Sequence, residues 1–256
     1  MQIKDKVFVV TGGASGLGAA TATFLIAKEA KVIMVDMNRE LSDGLQKRLG
    51  EHSEFYYLDV TDEVASEKLF LHIEHKYGQL NGLINCAGIA PSAKVLGRDG
   101  LHDLTMFQKV MNINVTGTFN MIRFAAQLIS KCELQNNEEE RGVIINTASV
   151  AGYEGQIGQT AYAASKGAVI AMTLPLAREL SKNAIRVMTI APGIMETPML
   201  KGLAQNVQDA LGQMVPFPAR LAKPEEYAHL VGHIIENAYL NGEVIRLDGA
   251  IRMTAK

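Results

Sequence analysis

The chain has little of what marks several specialised classes of protein. It holds two cysteines and no tryptophan among 256 residues. Cys86 and Cys132 lie far apart, without the spacing of metal ligands. We therefore expect reduced thiols and a cytoplasmic protein, or a protein of the mitochondrial matrix if the source is a eukaryote. The first strand is expected within a few residues of Met1, which leaves no room for a cleavable signal.

Charge of one sign and long apolar runs are also missing. The formal net charge at pH 7 is −2, which gives no electrostatic case for nucleic acid or a membrane surface. No apolar run approaches the roughly 20 residues of a membrane-spanning helix. The six histidines stand singly, without the spacing of metal ligands. We predict a protein that binds no nucleic acid, no membrane and no metal.

What the chain does have is an alternation of short apolar segments with helix-like ones. The apolar segments read as buried strands. They cover residues 6–10, 31–35, 54–58, 82–85, 142–147, 185–190 and 243–247. The helix-like segments between them include residues 19–26, 62–77, 103–131, 161–181 and 224–236. Such alternation predicts an α/β fold with a parallel sheet covered on both faces, in one domain of residues 1–256.

Three segments interrupt this alternation. Residues 89–102 read as irregular, and the polar residues 132–141 read as an exposed, solvated loop. Residues 192–223 carry four prolines around a short predicted helix at 203–212. Because this last segment follows the sixth strand, it should lie beside the carboxyl ends of the strands, where ligands bind in such sheets. We interpret it as a lid.

A glycine-rich turn at residues 11–18 joins the first strand to the first helix. Gly12, Gly16 and Gly18 let the backbone approach a phosphate closely, and the exposed N–H groups at the helix start can bind it. The spacing is Gly-x-x-x-Gly-x-Gly, which differs from the commoner Gly-x-Gly-x-x-Gly of dinucleotide-binding turns. A plain glycine turn is the alternative, and the strand–turn–helix context favours the phosphate site.

Tyr162 and Lys166 are four residues apart in a predicted helix, so both side chains lie on one face. The ordinary pKa of tyrosine is about 10, which makes the phenol a poor base at neutral pH. A nearby ammonium should lower the pKa of Tyr162 into the working range. Ser149, thirteen residues earlier, could bind a substrate oxygen. Taken alone, the pair could also be an accident of a helix surface.

With these motifs in order, the chain resembles the short-chain dehydrogenase/reductase family. The similarity also includes Asn85-Cys86-Ala87-Gly88, Asn112-Ile113-Asn114-Val115-Thr116-Gly117 and Pro192-Gly193. It covers nearly the whole chain. The resemblance implies a doubly wound Rossmann fold with a seven-stranded parallel sheet in the order 3-2-1-4-5-6-7, and a nicotinamide cofactor.

The resemblance also implies the roles of the site residues. Asn114, Ser149, Tyr162 and Lys166 would form the catalytic tetrad, with Tyr162 as general acid and base. Asn114 would hold a water that links Lys166 to solvent, although a helix-interior hydrogen bond to the backbone is the alternative. Gln156 would join Ser149 and Tyr162 in binding substrate. Besides Tyr162 and Lys166, the residues expected to bind the cofactor are Gly12, Ser15, Gly16, Leu17, Gly18, Asp36, Asp59, Val60, Asn85, Cys86, Ala87, Gly88, Pro192, Gly193, Met195 and Thr197.

The cofactor is expected to be NAD. Asp36 ends the second predicted strand, where its carboxylate can accept hydrogen bonds from the adenosine ribose and repel a 2′-phosphate. No lysine or arginine lies between Gly12 and Gly16, and Arg39 is the one nearby cation.

Further segments narrow the resemblance to the subfamily of type II 3-hydroxyacyl-CoA dehydrogenases. They include residues 141–151, 172–178, 215–218, 226–231 and 241–253. The implied substrate is a 3-hydroxyacyl-CoA, for which apolar residues of the lid would bind the acyl chain and Lys94 and Arg98 the coenzyme phosphates. These lid residues are Met195, Met199, Leu200, Leu203, Val207, Leu211 and Met214. The alternative for the apolar lid residues is ordinary packing within a helix, and the alternative for Lys94 and Arg98 is ordinary surface charge.

Other activities on the same scaffold stay open from the sequence. They are reduction of an acyl-carrier-protein thioester and oxidation of a sugar, a steroid or another secondary alcohol. A non-catalytic nucleotide-binding protein is a third class, which the intact tetrad opposes.

The resemblance also implies a homotetramer. Subunits would join through the helices at 103–131 and 161–181, with Ala125, Ala126, Ala168 and Ala171 in the contacts, and through the C-terminal strand and tail.

Overall fold

The computed structural model describes residues 1–98, 100–134, 139–202 and 204–255, apart from the side chains of Met199 and Lys201. Its central feature is a sheet of seven parallel strands. These strands are β1 (Val7–Thr11), β2 (Lys31–Asp36), β3 (Ser53–Tyr57), β4 (Gly82–Asn85), β7 (Gly142–Thr147), β8 (Ile185–Pro192) and β9 (Val244–Leu247). Their order across the sheet is β3-β2-β1-β4-β7-β8-β9, which confirms the predicted doubly wound topology.

Helices cover both faces of this sheet. They are α1 (Gly16–Ala27), α2 (Arg39–Leu49), α3 (Glu63–Tyr77), α4 (Leu104–Met111), α5 (Thr118–Lys131), α6 (Thr160–Leu180), α7 (Pro198–Lys201), α8 (Gln205–Gln213) and α9 (Pro224–Glu236). One apolar core lies between the sheet and α3, α5 and α6, and the other lies between the sheet and α1, α2 and α9.

Strand β1 explains why the strands could be recognised in the sequence. Val7 and Val9 point into the first core, and Phe8 and Val10 into the second. Because successive side chains of a strand point to opposite faces, a strand covered on both faces needs apolar residues at every position. The same reason explains the unbroken apolar runs in β2, β4 and β7.

The long helix predicted at 103–131 is interrupted. After α4, residues Asn112–Gly117 form a π-helix, and α5 follows directly. Such a single wide turn is often found at functional sites, and here it carries Asn114. The sequence has no proline or glycine before Gly117 to announce the change, so the pattern reads as one continuous helix.

Two of the three segments that interrupt the alternation contain regular structure of their own. Within 89–102, β5 (Leu96–Gly97) and β6 (Gly100–Leu101) form a small antiparallel hairpin. The short lid helix predicted at 203–212 is α8, which begins at Gln205, and Leu203 lies outside the described residues.

The prediction of a solvated loop at 132–141 is wrong for Glu140, and residues 135–138 lie outside the described part. The Glu140 carboxylate is buried and accepts hydrogen bonds from the Arg186 guanidinium and the Met1 ammonium. Arg186 is buried too and also donates to the carbonyls of Ile234, Ile235 and Leu240. A buried carboxylate needs such partners, and they come from distant parts of the sequence.

None of the helices in the described residues is both long enough and apolar enough to cross a membrane.

Candidate active site

A cavity of about 710 Å³ lies at the carboxyl ends of the parallel strands. Its walls come from the turn after β1, the ends of β2, β4, β7 and β8, the first turns of α6 and the lid. Most of the predicted site residues line it. They are Gly12, Ser15, Gly16, Leu17, Gly18, Asp36, Asp59, Val60, Cys86, Ala87, Gly88, Ser149, Gln156, Tyr162, Lys166, Pro192, Gly193, Met195 and Thr197. Asn85 and Asn114 do not line it.

The turn after β1 depends on glycine at two positions. Gly12 has a φ of 62°, and a Cβ there would lie 2.9 Å from the backbone nitrogen of Ala87. At Gly18, a Cβ would lie 2.1 Å from the Gly12 carbonyl oxygen, so the first turn of α1 could not pack against the loop. Helix α1 begins at Gly16 with no acidic residue in its first turn, and Ser15 makes no side-chain cap. The N-terminal N–H groups and the helix dipole therefore suit a phosphate.

Asp36 lies at the end of β2, beside this turn. Its Oδ2 accepts a hydrogen bond from the Ala14 nitrogen at 3.0 Å, and its Oδ1 accepts one from the Asn38 nitrogen at 2.9 Å. The two bonds fix the carboxylate at the cavity wall and leave further lone pairs for a ligand. Arg39, the nearby cation, stacks over the Tyr57 ring with its Cζ 5.3 Å from the ring centroid.

Asn85, which we expected to bind the cofactor, has a different environment. The side chain is buried, and its Nδ2 donates to Asn146 Oδ1 at 2.9 Å. This amide pair joins β4 to β7 just below the cavity. Asn85 thus contacts the neighbouring strand, while the three residues after it reach the cavity wall.

Lys166 is buried below Tyr162 in α6. Its Nζ donates to the Thr147 carbonyl at 2.7 Å and lies 5.7 Å from the centroid of the Tyr162 ring. Burial lowers the pKa of Lys166 to about 8, because the charged ammonium loses its hydration.

The pKa of Tyr162 shifts in the direction opposite to our expectation. Burial raises the pKa of the phenol, and its hydrogen bond with Ser149 counteracts this only in part. We based the expectation on the charge of Lys166 alone. The phenol also loses hydration on burial, and the sequence does not show how deeply a side chain is buried. The phenol therefore keeps its proton at pH 7.

Asn114 contacts the loop after β4 from the π-helix. Its Oδ1 accepts from the Ile89 nitrogen, and its Nδ2 donates to the Ile89 carbonyl, both at 2.9 Å. Nδ2 also donates to Ser165 Oγ at 3.0 Å. This backbone contact joins the π-helix to a loop, and it is not the helix-interior hydrogen bond that the sequence left open as the alternative. It fixes the loop next to Lys166, since Gly88 lies between the two side chains.

A hydrogen-bonded group beneath the site was missed in the sequence. The Thr147 hydroxyl donates to the Asn85 carbonyl at 2.6 Å and shares a hydrogen bond with the Tyr227 hydroxyl at 2.7 Å. Tyr227, fully buried in α9, also lies 3.7 Å from Cys86 Sγ. Tyr227 belongs to an amphipathic helix, where its spacing predicts a core residue and nothing more.

Some apolar residues of the lid line the cavity and others do not. Met195, Leu200 and Leu211 line it, whereas Val207 and Met214 are exposed. The Met199 side chain and Leu203 lie outside the described part. Additional lining residues, which the sequence analysis did not propose for the site, include Met37, Leu58, Ile89, Ala90, Ile113, Thr147, Gln159, Pro198 and Met253.

The described residues contain no group of three or more His, Cys, Asp or Glu side chains placed to hold a metal ion.

A doubly wound sheet with this glycine turn and a serine, tyrosine and lysine at one cavity defines a class of nucleotide-dependent oxidoreductases. The family model described as short chain dehydrogenase matches residues 6–237, and the chain belongs to this family. The 3-hydroxyacyl-CoA dehydrogenase type-2 of Drosophila melanogaster is 50% identical over 253 residues, which are 98% of this chain and 99% of the relative. The human protein of the same name is 49% identical, over 98% of this chain and 97% of the relative.

A solved structure is also similar. The 3-hydroxyacyl-CoA dehydrogenase type-2 from Mycobacterium avium superposes with a TM-score of 0.92 at 39% identity, and the match covers 100% of this chain and 98% of that one. Membership of the family implies an oxidoreductase with a nicotinamide cofactor. The glycine turn, the free start of α1 and Asp36 fit the phosphates and ribose of such a group.

Burial of Lys166 should make the stability of the protein depend on pH. Because the folded-state pKa of about 8 lies below the unfolded value of about 10.5, the destabilisation is complete below pH 8 and is relieved as the pH rises toward 10.5. The stability of Lys166→Met relative to wild type should therefore fall by about 1.4 kcal/mol per pH unit in this window. Urea unfolding at pH 7 and pH 9.5 measures the difference. Lys68→Met, at an exposed position of α3, is the control and should show no such trend; equal trends in the two variants would contradict the assignment.

Proposed function

We propose that the protein interconverts 3-hydroxyacyl-CoA and 3-oxoacyl-CoA thioesters with a nicotinamide cofactor, in the cytoplasm or the mitochondrial matrix. The observation that carries this proposal is the cavity, which Ser149 and Tyr162 line together with the glycine turn and apolar residues of the lid. The names of relatives about half identical over nearly the whole chain support the thioester as substrate.

In the reductive direction, the Tyr162 phenol would donate its proton to the carbonyl oxygen of the substrate. Its raised pKa suits this role, because the proton is present at neutral pH. Ser149 would donate a second hydrogen bond to the same oxygen and orient it. The cofactor supplies the hydride. In the oxidative direction the charge of Lys166 would stabilise the phenolate, and the contact with Thr147 holds the ammonium in place.

The walls beyond Tyr162 suit an acyl chain. Met195, Leu200 and Leu211 of the lid present apolar surface to the cavity, and methionine adapts to chains of different shape. Arg98 lies in the hairpin that follows β4, and Lys94 lies just before it. Both side chains are exposed, so they could bind the phosphates of coenzyme A while staying hydrated. Surface charge remains the alternative for both.

The proposed substrate can be tested by following NADH absorbance at 340 nm. We expect acetoacetyl-CoA to be reduced with a higher kcat/KM than the matching acyl-carrier-protein thioester or a steroid ketone. Tyr162→Phe should lower turnover at least roughly hundredfold, because the ring stays and the transferred proton is lost. A preference for either of the other two substrates would overturn the thioester assignment. Substantial turnover by the Phe variant would overturn the role of Tyr162.

We propose NAD(H) rather than NADP(H) as the cofactor, because the Asp36 carboxylate would lie beside a 2′-phosphate. The wild-type protein should prefer NADH over NADPH by at least tenfold in kcat/KM. Asp36→Ala should reduce this ratio about tenfold or more, which is 1.4 kcal/mol of discrimination. Asp43→Ala, at an exposed position in α2, is the matched control and should leave the ratio unchanged. Comparable efficiency of the wild type with NADPH would refute the proposal.

We also propose a homotetramer, joined through α4, α5 and α6 and through β9 with the C-terminal segment. Leu104, Phe119 and Leu174 leave apolar surface exposed on the three helices, and the strand β9 is only half-buried. Ala125 and Ala126 are buried in the core of the subunit itself, so they drop out as contact residues, whereas Ala171 is exposed. Light scattering at micromolar concentration should give four times the chain mass of 27.8 kDa, and a monomer mass would reject this assembly.

A further inference from the structure

The C-terminal segment that follows β9 returns to the active-site cavity. The backbone nitrogen of Met253 donates to Glu154 Oε2 at 3.0 Å, and the Ala255 carbonyl accepts from the Ile157 nitrogen at 3.0 Å. The segment thereby lies against residues 154–157, which connect Ser149 to Tyr162. Met253 lines the cavity.

A set of charged side chains holds the segment in this position. Arg246 in β9 donates to both carboxylate oxygens of Glu154, at 2.8 and 3.2 Å, and to the Ile251 carbonyl at 3.0 Å. Its Nε also donates to Asp248 Oδ2 at 2.7 Å. Glu154 therefore binds the segment twice, through the Met253 backbone and through Arg246. The Arg246 guanidinium keeps the pKa of the Glu154 carboxyl below its usual range, so Glu154 is charged at neutral pH.

The position of Met253 relates it to the substrate rather than to the cofactor. The turn at Gly12–Gly18 and Asp36 belong to the end proposed for the cofactor, whereas Glu154 stands in the sequence between Ser149 and Tyr162, the two residues proposed to bind the reacting oxygen. Gln156 and Gln159 of the same stretch line the cavity with Met253. The thioether thus adds an apolar group to the wall beside two amide side chains. An apolar group there contacts the carbon chain of a substrate rather than its polar end.

We propose that Met253 limits the length of the acyl chain, and that Glu154 is the positioning residue that keeps Met253 in the wall. This inference rests on the proposed function and deepens it. A methionine has rotatable bonds and gives way to short chains, but its terminal methyl occupies the volume that further methylene groups would need. Loss of the Glu154 carboxylate would release the C-terminal segment, so Met253 would no longer be held in the cavity wall.

Kinetics with 3-oxoacyl-CoA substrates of increasing length test the role of Met253. Met253→Ala should raise kcat/KM for 3-oxodecanoyl-CoA relative to acetoacetyl-CoA roughly tenfold, about what two more buried methylene groups contribute. Met253→Phe should shift the ratio the other way. An unchanged ratio in both variants would overturn the proposal. If the wild type reduces no acyl-CoA, the proposed function fails, and the same comparison is made with secondary alcohols from 2-butanol to 2-decanol.

Glu154→Gln tests the positioning role, because it keeps the size of the side chain and removes its charge. The variant should lower KM for long substrates relative to acetoacetyl-CoA and so weaken the chain-length preference, with kcat for acetoacetyl-CoA within about threefold of wild type. Hydrogen exchange of the Met253 amide should become faster, while amides of the central sheet stay protected. Glu179→Gln, exposed in α6, is the control and should change neither readout. A Glu154 variant with wild-type exchange and wild-type preference would contradict the proposal.

Discussion

The hydrogen bond from the Lys166 ammonium to the Thr147 carbonyl, 2.7 Å long, constrains the rest of the site. A buried ammonium loses its hydration, so the chain has to hold at least one acceptor in a fixed position. Thr147 is held in turn by its hydroxyl, which bonds the end of β4 and the buried Tyr227 of α9. Helix α9, on one face of the sheet, thereby stabilises the contact between Thr147 and Lys166, which belongs to α6 on the other face. The lowered pKa of Lys166 shows that this support compensates the burial only in part.

The two catalytic candidates in α6 respond to burial in opposite ways, with a common physical cause. Burial favours the neutral form of each group, so it raises the pKa of Tyr162 and lowers that of Lys166. A neutral phenol at pH 7 is prepared to give up a proton to a carbonyl, whereas the reverse reaction requires stabilisation of the phenolate. How readily the phenolate forms in the oxidative direction therefore depends on how strongly the charge of Lys166 acts on the phenol, across 5.7 Å to the ring centroid.

The strands and the glycine turn after β1 could be predicted from the sequence because their determinants are local, whereas the strand order was implied by the family resemblance. A strand covered on both faces needs an unbroken apolar run, and a turn between strand and helix needs glycine where another backbone comes within 3 Å. Features that depend on distant partners could not be predicted. Glu140 looks like part of a solvated acidic loop until Arg186 is placed beside it. The sequence of the π-helix at Asn112–Gly117 does not distinguish it from an α-helix. Its role becomes visible only in the structure, where Asn114 holds the loop after β4 through Ile89.

The two ends of the cavity also differ in whether they depend on local sequence or on residues far apart in the chain. The end proposed for the cofactor is formed largely by backbone, where Gly12 and Gly18 permit close approach, together with the Asp36 carboxylate at the end of β2. The substrate end is made of side chains from segments far apart in the chain, including the lid after β8 and the segment after β9. Each of those segments is held by a few hydrogen bonds and ion pairs at the surface, such as those of Glu154 and Arg246. Such contacts can be exchanged without disturbing the sheet, so one scaffold can keep its cofactor and chemistry while it accepts different substrates.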